Sequence, residues 1–230
     1  MKKIYFAFIL TLGVLAFSSC GDKEYTDTKV TNYVTYELTG GETYTIPVGT
    51  AYTDPGYKAY EGTEDVTASV QVSGTVDGNT VGFYPISYSA VNSDGFSRTV
   101  TRNVFVYNPA ITTDLAGDYL VSEGSHRIRG AAKTAYSGQK ITLTKVAPGM
   151  FYISDWLGGY YDQRAGYGSS YALYGYLGLN ADNTISGLYG FVKGWGDSFS
   201  DVTGTYDPAT GTVSMVVTYA EMEFHVILNK

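Results

Sequence analysis

Thr99-Val100-Thr101-Arg102-Asn103-Val104-Phe105-Val106-Tyr107 alternates its side chains with the period of an extended strand. Val100, Arg102, Val104 and Val106 fall on one face, and Thr99, Thr101, Asn103 and Phe105 on the other. Outward from this stretch, strand-like segments recur at 33–38, 43–48, 66–72 and 83–91, with Asp77-Gly78-Asn79 and Ser93-Asp94-Gly95 between them. Those triplets mark turns, because glycine accepts positive φ and Asx side chains bond the local backbone. After Tyr107 the pattern breaks at Asn108-Pro109-Ala110-Ile111-Thr112-Thr113, since proline brings no amide hydrogen to a ladder and restricts the residue before it. A second series of strands follows at 117–122, 139–146, 150–154, 172–179, 184–189, 212–219 and 222–228. In the last of these Met222, Phe224, Val226 and Leu228 share one face and Glu223, His225 and Ile227 the other, so one face belongs to a core and the other largely to water. The expectation is an all-β chain, with a sandwich over 31–108, a linker at 109–113, and an antiparallel sandwich or small barrel over 114–230.

Composition agrees. The 230 residues include 23 Tyr, 28 Gly and 10 Phe, and only 16% are charged, which excludes a disordered tail. Runs of Ala, Leu, Glu and Lys are missing, which argues against a helical bundle. The length allows one large or two small domains, each able to bury a core without disulfides.

Lys2 and Lys3 precede an apolar run over residues 4–17, followed by Ser18, Ser19 and Cys20. A positive start, a short apolar stretch and small residues at its exit predict an export signal over 1–19, and the run is short for a membrane span. Cys20, the single cysteine, stands where the lipobox of bacterial lipoproteins has its lipidated residue, and the N-terminus resembles that motif. The resemblance implies a membrane anchor on Cys20 with residues 20–30 as a tether. Gly21-Asp22-Lys23-Glu24 resembles the surface-export signal of Bacteroides-type lipoproteins and implies an outer-membrane, surface-exposed location. Loss of the signal leaves 13 basic and 22 acidic residues, a net charge of −9, which disfavours nucleic acid as a partner.

The stretch Val48-Gly49-Thr50-Ala51-Tyr52-Thr53-Asp54-Pro55-Gly56-Tyr57-Lys58-Ala59 resembles the opening of bacterial Ig-like domains found in surface lipoproteins and crystal-toxin tails. Gly82-Phe83-Tyr84-Pro85-Ile86-Ser87-Tyr88-Ser89-Ala90 and Arg102-Asn103-Val104-Phe105-Val106 fit the middle and final strands of the same pattern. An Ig-like sandwich acting as a spacer or adhesive unit is implied. Leu115-Ala116-Gly117-Asp118-Tyr119 and the closing hairpin resemble lipocalin-like barrels. Ile153-Ser154-Asp155-Trp156-Leu157-Gly158-Gly159-Tyr160-Tyr161 and Tyr219-Ala220-Glu221-Met222-Glu223-Phe224 resemble the C-terminal half of two-domain Bacteroides surface lipoproteins of uncharacterised function.

The chemistry-bearing residues concentrate at 151–176, where nine aromatics alternate with five glycines. Flat rings with hydroxyl tips suit a sugar, which presents an apolar C–H face and a polar rim, and glycines let loops approach a ligand closely. The expected binding residues are Trp156, Tyr160, Tyr161, Tyr167 and Trp195, with Asp155 and Arg164, beside Asp162 and Gln163, reading hydroxyls. The alternative is that these rings fill the inner face of a strand. Trp195, between Gly194 and Gly196, suits a rim better than a strand interior.

No catalytic residues are expected. Glycoside hydrolysis would need two carboxylates about 5 to 10 Å apart, and only Asp155 with Asp162, or Asp197 with Asp201, could be bent into that arrangement. With His126 and His225 the only histidines, and no Gly-x-Ser-x-Gly elbow, neither a nucleophilic triad nor a typical zinc site is expected, and no cofactor motif occurs. The leading reading is a non-catalytic, lipid-anchored glycan-binding protein. Its alternatives are a structural or protein-interaction lipoprotein of an outer-membrane complex and, more distantly, a glycoside hydrolase.

Overall fold

The computed structural model describes residues 30–230. The expectations for the signal and for Cys20 lie outside them. Residues 33–230 form one compact unit.

Its first part has two facing sheets. β1 (Val34–Leu38), β3 (Tyr57–Glu61) and β4 (Glu64–Asp65) make one. β2 (Thr43–Pro47), β7 (Ser97–Tyr107), β6 (Gly82–Val91) and β5 (Gln71–Ser73) make the other, with β2 parallel to β7. The expected strand at 66–72 is instead a 3-10 turn, Thr67–Ser69, leading into the short β5, because the Thr67 hydroxyl ties the segment to Ala59. Ile86, Tyr88 and Val104 fill the space between the sheets. Arg102 shares their face and is fully buried. Its guanidinium meets Asp54 at 2.6 Å and donates to the carbonyls of Thr39 and Gly56 at 2.8 and 3.0 Å. The Tyr88 hydroxyl also donates to Asp54. A buried charge persists only when paired and hydrogen-bonded, so the Asp54-Pro55-Gly56 turn is fixed by the arginine of the strand that closes the sandwich.

The second part is a closed antiparallel barrel of eight strands, not a sandwich. In order around it run β8 (Gly117–Val121), β11 (Lys140–Ala147), β12 (Met150–Ile153), β13 (Leu173–Leu179), β14 (Thr184–Val192), β15 (Asp201–Asp207), β16 (Thr212–Tyr219) and β17 (Met222–Asn229). Leu228↔Val121 and Asn229↔Leu120 close the ring between β17 and β8. Closure leaves no unpaired edge within the ring. β9 (His126–Arg129) and β10 (Ala132–Ala135) form a hairpin between β8 and β11, and β9 continues along the β17 edge through Phe224↔Arg127 and His225↔His126. The expected alternation holds in the last hairpin. Val213, Met215, Val217 and Tyr219 join Met222, Phe224, Val226 and Leu228 in the interior. Strands β3, β4, β9, β10 and β15 had no clear period-two apolar signal, being short or, in β15, rich in Thr, Gly and Asp.

The face of β7 opposite Arg102 packs on the barrel. Phe105 is buried against Tyr176, with ring centroids 4.7 Å apart, and Phe83 lies 5.1 and 5.2 Å from Tyr176 and Tyr189. Both faces of that strand are therefore covered.

Candidate functional site

The segment between β12 and β13, residues 154–172, divides at Tyr160. Its first half enters the barrel. Asp155 anchors it by accepting from the amides of Leu157 (2.8 Å), Gly159 (3.1 Å) and Leu173 (3.2 Å). Gly158 and Gly159, at φ of 62° and 70°, supply the left-handed backbone that brings those amides back to one carboxyl. The Trp156 ring is 0% exposed and its Nε1 donates to the Tyr189 carbonyl at 3.1 Å. Gly175 makes its room, since a Cβ there would stand 2.8 Å from Trp156 Nε1. Phe199 crosses the indole edge-on at 5.6 Å.

Three expected binding residues are thereby corrected. Trp156, Tyr160 (5% exposed) and Asp155 (1% exposed) are core, beyond the reach of a ligand. The physical reason is that the indole and phenol fill the barrel end, while the Asp155 oxygens are taken by backbone amides. Burial pushes the Asp155 carboxyl up to about 7, against the pull of those amides. Gln163 is corrected too. Its amide bonds both the N–H and the C=O of Lys140, at 2.9 and 2.8 Å, in the manner of a neighbouring strand.

The second half returns to the surface through one π-helical turn, Tyr160–Arg164, and one 3-10 turn, Ser169–Tyr171. Tyr161, Tyr167 and Trp195 converge, joined by Tyr171. The Trp195 ring lies 4.9 Å from Tyr161, 6.3 Å from Tyr167 and 4.8 Å from Tyr171, while Tyr161 and Tyr167 stack at 6.0 Å. Tyr167, Tyr171 and Trp195 line an open cleft of ≈ 330 Å³. Tyr167 is 56% exposed and Trp195 42%. Rings that large are rarely left in water singly in a cluster of this kind without a partner for the surface they form.

The cluster is held from below. Gly194 N donates to Ser170 O at 2.7 Å, tying the two loops, and Gly196 N to Val192 O at 2.7 Å shapes the Trp195 turn. The absent Cβ of Gly194 matters, for it would come within 2.6 Å of the Tyr171 ring. Tyr219 stacks behind Trp195 at 6.2 Å and donates its hydroxyl to Asp197 at 2.8 Å. Burial and the Asp197 carboxylate both keep the Tyr219 hydroxyl protonated.

Arg164 stands at the surface, not in the cleft, and lies over the Tyr160 ring at 4.9 Å. Arg127 of β9 covers the same ring at 4.7 Å. Neither Arg127 nor Arg129 was singled out from the sequence, although the alternation of His126-Arg127-Ile128-Arg129 places both on one face. Tyr171 is one of the nine rings of 151–176 but was not assigned to the site. Of the acid pairs, Asp155 is internal and Asp197 is engaged by Tyr219, so neither pair presents two free carboxylates across the cleft. Among the described residues no group of three His, Cys, Asp or Glu side chains comes together.

This arrangement, an Ig-like sandwich followed by a barrel with an aromatic rim, defines a class of two-module surface protein. The profile described as bacterial surface protein, Ig-like domain, matches residues 36–106, and a C-terminal-domain family profile matches 108–230, more than half of the chain. The chain belongs to that family, the surface lipoproteins of the BT2262 type. The lipoprotein BT2262 from Bacteroides thetaiotaomicron is 46% identical, its crystal structure covering 86% of this chain and 100% of its own, with a TM-score of 0.50. A second structure, CBM51-2 in complex with GlcNAc and INT domains from Clostridium perfringens ZmpB, is 14% identical over 79% of this chain and 29% of its own, at a TM-score of 0.28 too low to bear on fold or function. No curated protein matches the chain. The family places the protein at the cell envelope.

Proposed function

We propose that the protein is a non-catalytic glycan-binding lipoprotein, anchored in the outer membrane through Cys20 and displayed at the surface. The observation that carries this reading is the convergence of Tyr167, Tyr171 and Trp195 on one open cleft, with Tyr161 packed against Trp195. A planar indole offers a stacking surface for the C–H face of a pyranose, and the tyrosine hydroxyls around it offer donors and acceptors for the sugar rim. The cleft is of the size of one or two sugar rings, and its openness suits an internal stretch of a polymer. The Ig-like module then serves as a spacer between the lipid and the barrel. Neither candidate acid pair supports catalysis, because Asp155 and Asp197 are committed to the protein itself.

The test is a glycan array followed by calorimetry on the purified protein without its signal. A carbohydrate should bind, and Trp195→Ala with Tyr167→Ala should abolish the response. Undiminished binding in that double variant would remove the cleft from the account. A stoichiometric protein partner recovered from membrane extracts, with no sugar response, would instead favour an interaction role for the same rings.

A further inference from the structure

Beside the aromatic cleft lies a group of cations whose charge no carboxylate balances. The chain holds five arginines. Arg102 is buried with Asp54, Arg98 lies in the sandwich, and the other three, Arg127, Arg129 and Arg164, gather at this end of the barrel. Arg127 and Arg164 both lie on the Tyr160 ring, which is 5.1 Å from the Tyr161 ring that packs against Trp195. Arg129 follows Arg127 on the same face of β9, and both charges are felt at the Tyr161 hydroxyl, where they oppose the effect of burial. Among the described residues no carboxylate lies within ion-pair distance of any of the three, whereas Lys58, Lys140 and Lys145 each have an aspartate partner. The Arg127 Nε is buried and has no hydrogen-bond partner. The carboxylates at this end are largely spoken for: Asp155 by three amides, Asp197 by Tyr219 and Glu223 by His225.

We propose that the glycan bound at the Tyr161–Tyr167–Tyr171–Trp195 cleft is acidic, with its carboxylate or sulfate groups taken by Arg127, Arg129 and Arg164. The proposal rests on the glycan reading of the cleft and adds the substrate class. Guanidinium forks match planar carboxylates and sulfate oxygens bidentately, and stacking on Tyr160 pre-orients two of them, so less side-chain freedom is lost on binding. In a protein of net charge −7, three unpaired arginines beside one cleft give local attraction for an anion against a field that otherwise repels it. A neutral polysaccharide has no use for them.

Calorimetry with matched polymers separates the claims. The probes are polygalacturonate and chondroitin sulfate, each beside its carboxyl-reduced or desulfated counterpart, titrated into the full mature chain and into Arg129→Ala, Arg164→Ala and Trp195→Ala. The two arginines chosen are exposed, so thermal melts of those variants should match the parent. The acidic polymers are expected to bind about tenfold or more tightly than the neutral forms, to lose about tenfold with each arginine, and to weaken as salt rises. Trp195→Ala should weaken acidic and neutral polymers alike. Equal affinity for acidic and neutral forms, lost in Trp195→Ala but unchanged in the arginine variants, would overturn the acidic class and leave the glycan reading standing. No response to any polymer, on these probes or on an array, would overturn both.

Discussion

Residues 154–160 and residues 161–171 belong to one loop with one composition, rings interleaved with glycines, and they end in opposite environments. The first half is barrel core and the second, with Trp195, is the exposed cleft. What separates them is not the rings but what lies opposite each. Trp156 meets Gly175 and the Tyr189 carbonyl, a space with one acceptor at its end. Trp195 meets Tyr161, Tyr171 and Tyr219, side chains that support it from behind and leave its outer face open. An indole with a buried acceptor for its N–H and no competing volume goes inside. One that is backed by other rings on a glycine-flanked turn stays out. Composition alone does not divide a binding surface from a core, whereas a small residue on the facing strand does.

Removing the inner indole should produce the largest difference between the halves. Trp156→Ala is expected to cost about 3–5 kcal/mol, as for large-to-small core substitutions. Trp195→Ala, at the surface, should cost under about 1 kcal/mol, and urea titrations of both variants measure the gap. Filling the space opposite the inner ring is the next test. Gly175→Ala should cost about 1–3 kcal/mol, because β13 and the Tyr189 carbonyl cannot both keep their places. The outer half should respond in binding rather than stability. Trp195→Ala is expected to lower glycan affinity by about 2 kcal/mol, roughly thirtyfold, where Trp156→Phe, read by the same calorimetry, should leave affinity within about twofold.

The anchor between the halves adds a pH dependence to the comparison. Burial raises the ionisation of Asp155 from the ordinary carboxylate value of 3.8 to about 7. Between those values the native chain holds a proton that the unfolded chain has released, so stability must fall as pH rises. The contribution is complete below about 3.8 and is lost as pH passes through about 7. The amide donors to the same carboxyl pull the other way, and the rise to about 7 is what burial leaves after their effect. Asp155→Asn is neutral throughout and should lack that slope when Tm is followed from pH 4 to 8, while losing some stability overall because its Nδ2, a donor, replaces the Oδ2 that accepts from the Gly159 amide.

The fold was readable where burial was one-sided. The alternation in 99–107 and 222–228 marked β7 and β17 directly, since each has a face whose apolar residues line a core. Sandwich and barrel could not be told apart, because closure depends on two register pairs, Leu228↔Val121 and Asn229↔Leu120, that carry no local signature. The β9–β10 hairpin went unread for a related reason. Its strands are four residues each, and Ile128 is their one large apolar residue among arginine, lysine, threonine and alanine, so no alternation showed and with it went the view of the arginine cluster. For the site, Tyr161, Tyr167 and Trp195 were foreseeable from glycine flanks and polar surroundings. Trp156, Tyr160 and Asp155 were not, because their fate is set by Gly175 and by the amides of Leu157, Gly159 and Leu173, partners that the fold alone brings together.

The chain has two tryptophans, one in each half of the comparison, and fluorescence can address them singly. In Trp156→Phe only Trp195 emits, and in Trp195→Phe only Trp156. Iodide quenching of the two variants, with and without saturating glycan, tests the division most directly. The expected result is strong quenching of Trp195, relieved by the glycan, and weak quenching of Trp156 in either condition. Equal quenching of both, or quenching of Trp195 that no bound glycan relieves, would contradict it.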